Sequence, residues 1–259
     1  MGLSQSEVDS FADELYDAYV DKEPVTPLSE DAEFTTDEAY EIQSAVVDRV
    51  LAGDNEVIGR KLGLVSEAKQ EQIGIDEPIF GTITEENVLD GPIPTEEMIS
   101  PRLEAEIGLV LDDDLSAPVS TTDVLTSTRA LVPVVELIES RYKGWSIPSA
   151  QDVIADNTST GKLVVGETLR DVTDVDLPHE GVTVTVNGDI EATGVGADIM
   201  GNPARAVAWL GDRLADLDQQ LREGDLVMTG GISAAIDVEP NDVYTVEFGN
   251  IGSVHLRAE

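Results

Sequence analysis

Cysteine is absent from the 259 residues. That excludes a disulfide scaffold, a Cys-ligated zinc, an iron–sulfur cluster and a Cys nucleophile. No apolar run approaches the roughly 18–20 residues of a membrane span. Basic side chains are scarce, with 15 Lys and Arg against 53 Asp and Glu and a formal charge of −38. Such a chain repels phosphate backbones, so nucleic acid is not an expected partner. The two histidines, His179 and His255, have no nucleophile or metal-ligand spacing beside them, and neither a Ser-His-Asp triad nor an H-E-x-x-H zinc site is supported. Gly230-Gly231 is too short for a phosphate loop, and no G-x-G-x-x-G follows a strand, so nicotinamide and ATP sites are not expected. Residues Met1 to Glu7 show no basic segment leading into an apolar stretch. No signal peptide is expected, and the cytoplasm is the expected location.

What is present is acid, and it is dispersed, as in Asp112-Asp113-Asp114, not gathered in a tail. A self-repelling acidic surface is a device of salt-adapted proteins, because at molar salt the Debye length falls to about 3 Å. An acidic partner-binding surface is the alternative. Either way, a single exposed Asp or Glu carries little functional information here.

Periodicity predicts helices first. Ser4-x-x-Glu7 is a capping box before Val8, Phe11, Leu15 and Ala18, and Thr35-x-x-Glu38 is a second, before Ile42, Val46 and Val50. From about residue 56 the pattern turns to short strands: 56–64, 103–111, 131–138, 182–186, 226–228 and 243–248. Asn187-Gly188 is a hairpin signal. One further helix opens at Asn202-Pro203 and is predicted to run on Val207, Leu210, Leu214, Leu217 and Leu221 to Gly224. We read an N-terminal helical region, 1–57, and a larger, mostly β domain, 58–259.

The chemistry-bearing residues are those whose charge does not suit their setting. In the predicted strand around Glu104-Ala105-Glu106, residues two apart share a face, so both carboxylates point one way and run into Ile-Gly-Leu-Val-Leu. Glu136 is the only charge in Leu131–Ile138. Buried like charges need something positive between them, and Mg²⁺, which prefers six oxygen ligands, fits that need. The competing reading puts Glu104 and Glu106 on a solvated edge strand and pairs Glu136 with Arg102 or Arg141. Lys61, a rare Lys in Gly59-Arg60-Lys61-Leu62-Gly63, is either a surface residue or a general acid–base. Asp156-Asn157-Thr158-Ser159-Thr160-Gly161 is either a polar turn or a cradle for a substrate carboxylate.

Taken in order, several blocks resemble the fumarylacetoacetate hydrolase superfamily, and within it the 2-keto-4-pentenoate hydratase and 4-oxalocrotonate decarboxylase branch. They are Gly59–Leu64, Gly74–Gly81, Pro101–Glu106, Glu136–Arg141, Ala155–Ser159, Gly201-Asn202-Pro203, Thr229–Ala235 and Phe248–Val254. The resemblance implies an α+β fold with a mixed, rolled β-sheet core. It implies Mg²⁺ or Mn²⁺ on Glu104, Glu106 and Glu136, with Lys61 as acid–base. It also implies a small 2-oxo acid as substrate, a homo-oligomer, and a possible complex between a hydratase and a decarboxylase. Leu64, Ile79, Phe80, Asn157, Ser159 and Thr160 are the expected substrate contacts. Hydratases of this branch carry Pro-Asp-(Phe/Tyr)-Gly where this chain has Pro78-Ile79-Phe80-Gly81. That favours decarboxylation of 2-oxohex-3-enedioate, as does Thr229–Ala235. Asp76 keeps open the hydration of 2-hydroxypenta-2,4-dienoate, and acylpyruvate C–C hydrolysis is a third possibility. Glu139 stands where the family often has Asp.

Overall fold

The computed structural model describes residues 2–259. Two helices open the chain, α1 (Gln5–Asp21) and α2 (Thr36–Val50), and both predicted capping boxes are formed. α2 ends at Val50, with Leu51 still right-handed and bonded to the Val47 carbonyl, and a turn follows it. The strands follow as β1 (Val57–Gly63), β2 (Ile79–Thr84), β3 (Arg102–Leu111), β4 (Thr128–Ile138), β5 (Lys162–Val165), β6 (Gly181–Val186), β7 (Asp189–Val195), β8 (Leu226–Met228), β9 (Ile236–Asp237), β10 (Val243–Phe248) and β11 (Ser253–Arg257). Between them lie α3 (Glu67–Ile73), α4 (Thr121–Thr126), α5 (Ala150–Ala155) and α6 (Pro203–Ala215).

The larger sheet runs β2-β1-β8-β3-β4-β5, with β9 added beside β3, and a four-stranded sheet runs β11-β10-β6-β7. The larger sheet is mixed: β8 is parallel to β1 and antiparallel to β3. Asn187 and Gly188 take positive φ at the β6–β7 hairpin, as a type I′ turn requires.

α6 is shorter than its apolar stripe predicts. It ends at Ala215, and Asp218 turns left-handed at φ 57°. Leu217 and Leu221 still pack inward. They do so from irregular chain, where Leu221 bridges Leu115. Tertiary packing produced the same apolar spacing without a helix.

Most of the apolar interior is continuous. Val8, Leu15, Ile42 and Val46 from the first two helices share it with Leu103, Ile107 and Leu137 from the sheet. Gln43 of α2 donates from Nε2 to the carbonyls of Phe80 and Ile154, at 2.9 and 2.8 Å. A smaller apolar cluster of Ile83, Val132, Val134, Leu163, Leu226 and Met228 lies apart from it.

Candidate metal centre

Register places the acidic side chains. Glu104 of β3 stands opposite Glu136 of β4, Glu106 opposite Val134, and Gly108 opposite Val132. Cross-strand partners share a face, so Glu104, Glu106 and Glu136 emerge together from the face that also carries Val132 and Val134. Along the next row, Lys61 is paired with Met228, and Met228 with Gly108. Lys61 therefore shares that face, and Gly108 leaves room beside it: a Cβ there would lie 2.7 Å from Val132 Cγ2.

One oxygen from each of the three glutamates lies within 4.8 Å of the others. Their environment is dry, with Glu104 8%, Glu106 0% and Glu136 1% exposed. Those values exclude a solvated edge strand. Neither arginine weighed as a partner for Glu136 reaches it: Arg102 pairs with Asp237 at 2.8 Å, and Arg141 pairs with the buried Asp156. Glu136 faces Lys61 instead, Nζ to Oε1 2.9 Å, and Lys61 also donates to the Thr158 carbonyl at 2.8 Å. Glu106 Oε2 accepts from the Gly230 amide at 2.8 Å. Glu106 Oε1 and Glu136 Oε2 are buried without a partner, and Glu136 Oε1 has only the Lys61 ammonium.

The charges are strained accordingly. Burial, then the Glu136 charge, pushes the Glu106 carboxyl well above its usual range. Burial also raises Glu136, with Lys61 opposing. Lys69 of α3, outside the expected set, donates from Nζ to Glu104 Oε1 at 2.9 Å. Burial pulls the Lys69 ammonium down, but Glu104, with Glu106 and Glu136 behind it, outweighs burial and the shift is upward. Orphaned hard oxygen donors in a dry pocket fit a divalent cation.

The remaining expected residues divide. Asn157, Thr158 and Ser159 all take positive φ (45°, 53° and 55°), a strained run beside Lys61. Thr158 holds Lys61 through its carbonyl, a role no side-chain pattern reveals. Ser159 and Thr160 are buried in the same loop. Thr160 donates from Oγ1 to the Asn157 carbonyl at 2.6 Å. Asn157 is not free to meet a substrate, since its Oδ1 accepts from the Thr82 amide and its Nδ2 donates to the Thr82 carbonyl. Ile79, opposite Gly63, lies on the Lys61 face. Phe80 does not: it pairs with Leu62 on the other face and stacks on Tyr40 at 4.6 Å between ring centroids. Leu64 follows β1 with φ 53° and is half-buried. Asp76 is exposed after α3 and lines a cavity of about 470 Å³ with Val65, Ser66, Gln70 and Arg205.

Residues 65–258 match the Fumarylacetoacetate (FAA) hydrolase C-terminal family. The chain belongs to this family. Two relatives extend the likeness beyond that segment. A 4-oxalocrotonate decarboxylase of Pseudomonas sp. (strain CF600) is 35% identical over 98% of this chain and 98% of its own. A 2-keto-4-pentenoate hydratase of Paraburkholderia xenovorans (strain LB400) is 35% identical over 96% of this chain and 93% of its own. The structure of 4-oxalocrotonate decarboxylase from Pseudomonas putida G7, complexed with magnesium and adipate, superposes with a TM-score of 0.96 at 32% identity, covering 99% of each chain. Membership of the fumarylacetoacetate hydrolase family accounts for the rolled mixed sheet, and the chain is an enzyme of the lyase type that these relatives represent.

Proposed function

We propose that this chain is a divalent-cation-dependent decarboxylase converting 2-oxohex-3-enedioate to 2-hydroxypenta-2,4-dienoate and carbon dioxide. The observation that carries the reading is the trio of buried glutamates with orphaned oxygens, set beside a buried lysine. Glu104, Glu106 and Glu136 hold the ion, Mg²⁺ or Mn²⁺. Bound there, it supplies Lewis acidity toward the 2-oxo group.

Decarboxylation breaks the C5–C6 bond, and its electron pair moves through the conjugated carbons onto the 2-oxo oxygen. Lys61, held by the Thr158 carbonyl and Glu136, carries the proton that completes the enol. Ile79, Leu64, Ser159 and Thr160 wall the substrate. Full-length similarity to a decarboxylase supports the choice, as do Ile79 in place of an acid and the exposed position of Asp76. Equal identity to a hydratase favours hydration of 2-hydroxypenta-2,4-dienoate as the second reading.

The test is turnover of 2-oxohex-3-enedioate with Mg²⁺ in molar KCl. Release of carbon dioxide that ceases with chelator supports the first reading. Hydration of the dienoate with no carbon dioxide from the diacid supports the second. The reading also includes salt adaptation, supported by the dispersed −38 charge, and a catalytic domain beginning near residue 58. A cytoplasmic homo-oligomer that can pair with a hydratase completes it.

A further inference from the structure

α3 buries none of its seven side chains. One of them nonetheless reaches the metal centre. Lys69 Nζ lies 2.9 Å from Glu104 Oε1, with 36% of its side chain exposed against 11% for Glu104. The ammonium therefore sits at the mouth, between solvent and the carboxylates. The neighbouring cations are otherwise engaged. Lys61 holds Glu136 and the Thr158 carbonyl. Arg141 is clamped by Asp156 and the Thr160 carbonyl, and Arg205 donates to the Met200 carbonyl. Lys69 has one carboxylate partner, and that partner is one the divalent ion needs.

A dication and an ammonium repel, so a metal on Glu104 weakens the hold of Lys69 on it. A partly buried ammonium that loses its anion turns to the next one available. A substrate can supply it. Strands β3 and β4 carry the triad, Lys61 lies against Glu136 and the Gly230 amide against Glu106, while Lys69 is the partly exposed contact, so a 2-oxo acid seated on the triad is placed with its tail toward α3. We propose that Lys69 is a specificity residue that changes partners: it pairs with Glu104 when the metal is absent and with the far carboxylate of a dicarboxylic 2-oxo acid when the metal is bound. The pairing forms before the far carboxylate leaves, so it lowers KM without raising kcat. This inference rests on the reading of the triad as a metal centre for 2-oxo acids.

The test compares 2-oxoadipate with 2-oxohexanoate, which differ only in the far carboxylate and lack the double bond that decarboxylation requires. Calorimetry with Mg²⁺ at fixed ionic strength measures each on the native enzyme, Lys69→Met and Lys69→Arg, with oxalate as a control for the metal centre. The native enzyme is expected to prefer 2-oxoadipate by roughly tenfold or more, the range of a charged hydrogen bond. Lys69→Met should lose that preference while holding 2-oxohexanoate within about threefold, and should bind Mg²⁺ alone several-fold tighter, as expected when a competing cation is removed. Lys69→Arg should retain the preference. A preference that survives in Lys69→Met overturns the assignment, as does equal weakening of both keto acids. If the native enzyme binds neither oxalate nor a keto acid in a Mg²⁺-dependent way, the metal-centre reading falls, and this inference falls with it.

Discussion

Glu106→Gln separates the cost of the site from its use. Glu106 is fully buried; one oxygen accepts from Gly230 and the other has no partner. Glutamine keeps the shape, can keep the Gly230 bond, and turns an amide toward Glu136. The metal-free protein sets three carboxyl groups against two ammonium groups, Lys61 and Lys69, so one carboxyl must either stay charged without a partner or take up a proton, as the raised value of Glu106 shows. Replacing such a buried carboxyl by a neutral isostere is worth about 1–3 kcal/mol of stability. For a chain of this size that raises Tm by about 2–12 °C.

Magnesium reverses the order of gain. At a hundred times Kd, a ligand specific for the folded state adds about 2.7 kcal/mol. Loss of a ligating carboxylate should weaken binding at least as much as loss of an outer-shell partner, about 10–100-fold. At the same magnesium concentration the variant then gains under about 1.4 kcal/mol. Calorimetric melts at neutral pH, first in chelator and then in magnesium, measure both differences. Glu106→Gln should melt above the native protein in chelator and respond less to magnesium. If it melts lower in chelator and still gains the full magnesium increment, the metal-centre reasoning fails.

Lys61→Met should lower turnover by about 10²–10⁴-fold, the range of a lost acid–base group, yet bind Mg²⁺ in calorimetry; unchanged turnover would remove Lys61 from the chemistry. The same variant leaves Glu136 without a cation, and its chelator-treated form should lose about 3–5 kcal/mol in urea unfolding. Gly231→Ala would put a Cβ 2.7 Å from Glu104 Cδ; Mg²⁺ affinity should fall at least about tenfold with the circular dichroism unchanged. The pH dependence follows from the raised carboxyls of Glu106 and Glu136. Because the folded value exceeds the ordinary 4.5, the metal-free fold holds protons that the unfolded chain releases. The contribution of these two carboxyls to stability is therefore full below the ordinary value and is lost as pH rises through the folded value. Magnesium displaces those protons, so its affinity should rise with pH over the same window; a flat profile would contradict the shifts.

Much of the site was legible because charge conflicted with pattern. Glu104, Glu106 and Glu136 stood out as acids inside apolar strands, and Lys61 as a Lys between glycines. The structure sets all four on one face, by a register that spacing within one strand cannot supply. The misses have local causes. Phe80 lies next to Ile79 in sequence, but alternation along β2 sends it to the opposite face, against Tyr40. Asn157 has a side chain suited to a ligand, yet the Thr82 backbone satisfies both of its polar ends. Lys69 was invisible because α3 has no buried stripe, and its partner lies 35 positions away. Six of the eleven strands were readable, from apolar runs or Val/Thr alternation; β2, β5, β7, β9 and β11 were not named, and the end of α6 was misplaced because Leu217 and Leu221 keep a helical spacing outside the helix.

The wider pattern of buried acids argues for the same centre from another direction. Seven acidic residues are buried among the described residues: Glu104, Glu106, Glu136, Glu139, Asp152, Asp156 and Glu180. Lys69, Lys61 and Lys22 face Glu104, Glu136 and Glu139, and Arg141 faces Asp156. Asp152 accepts from Ser29 and Ser149, and Glu180 from the amides of Asn250 and Ile251 and the Asn250 side chain. Three of the chain's five lysines are thus committed to buried glutamates. In a protein with so few cations, that is where positive charge is needed most. Glu106 is the remainder, with a single amide donor and no cation of its own. A fold that answers every other buried acid and leaves this one beside two more carboxylates is arranged for a positive charge that the polypeptide does not itself provide.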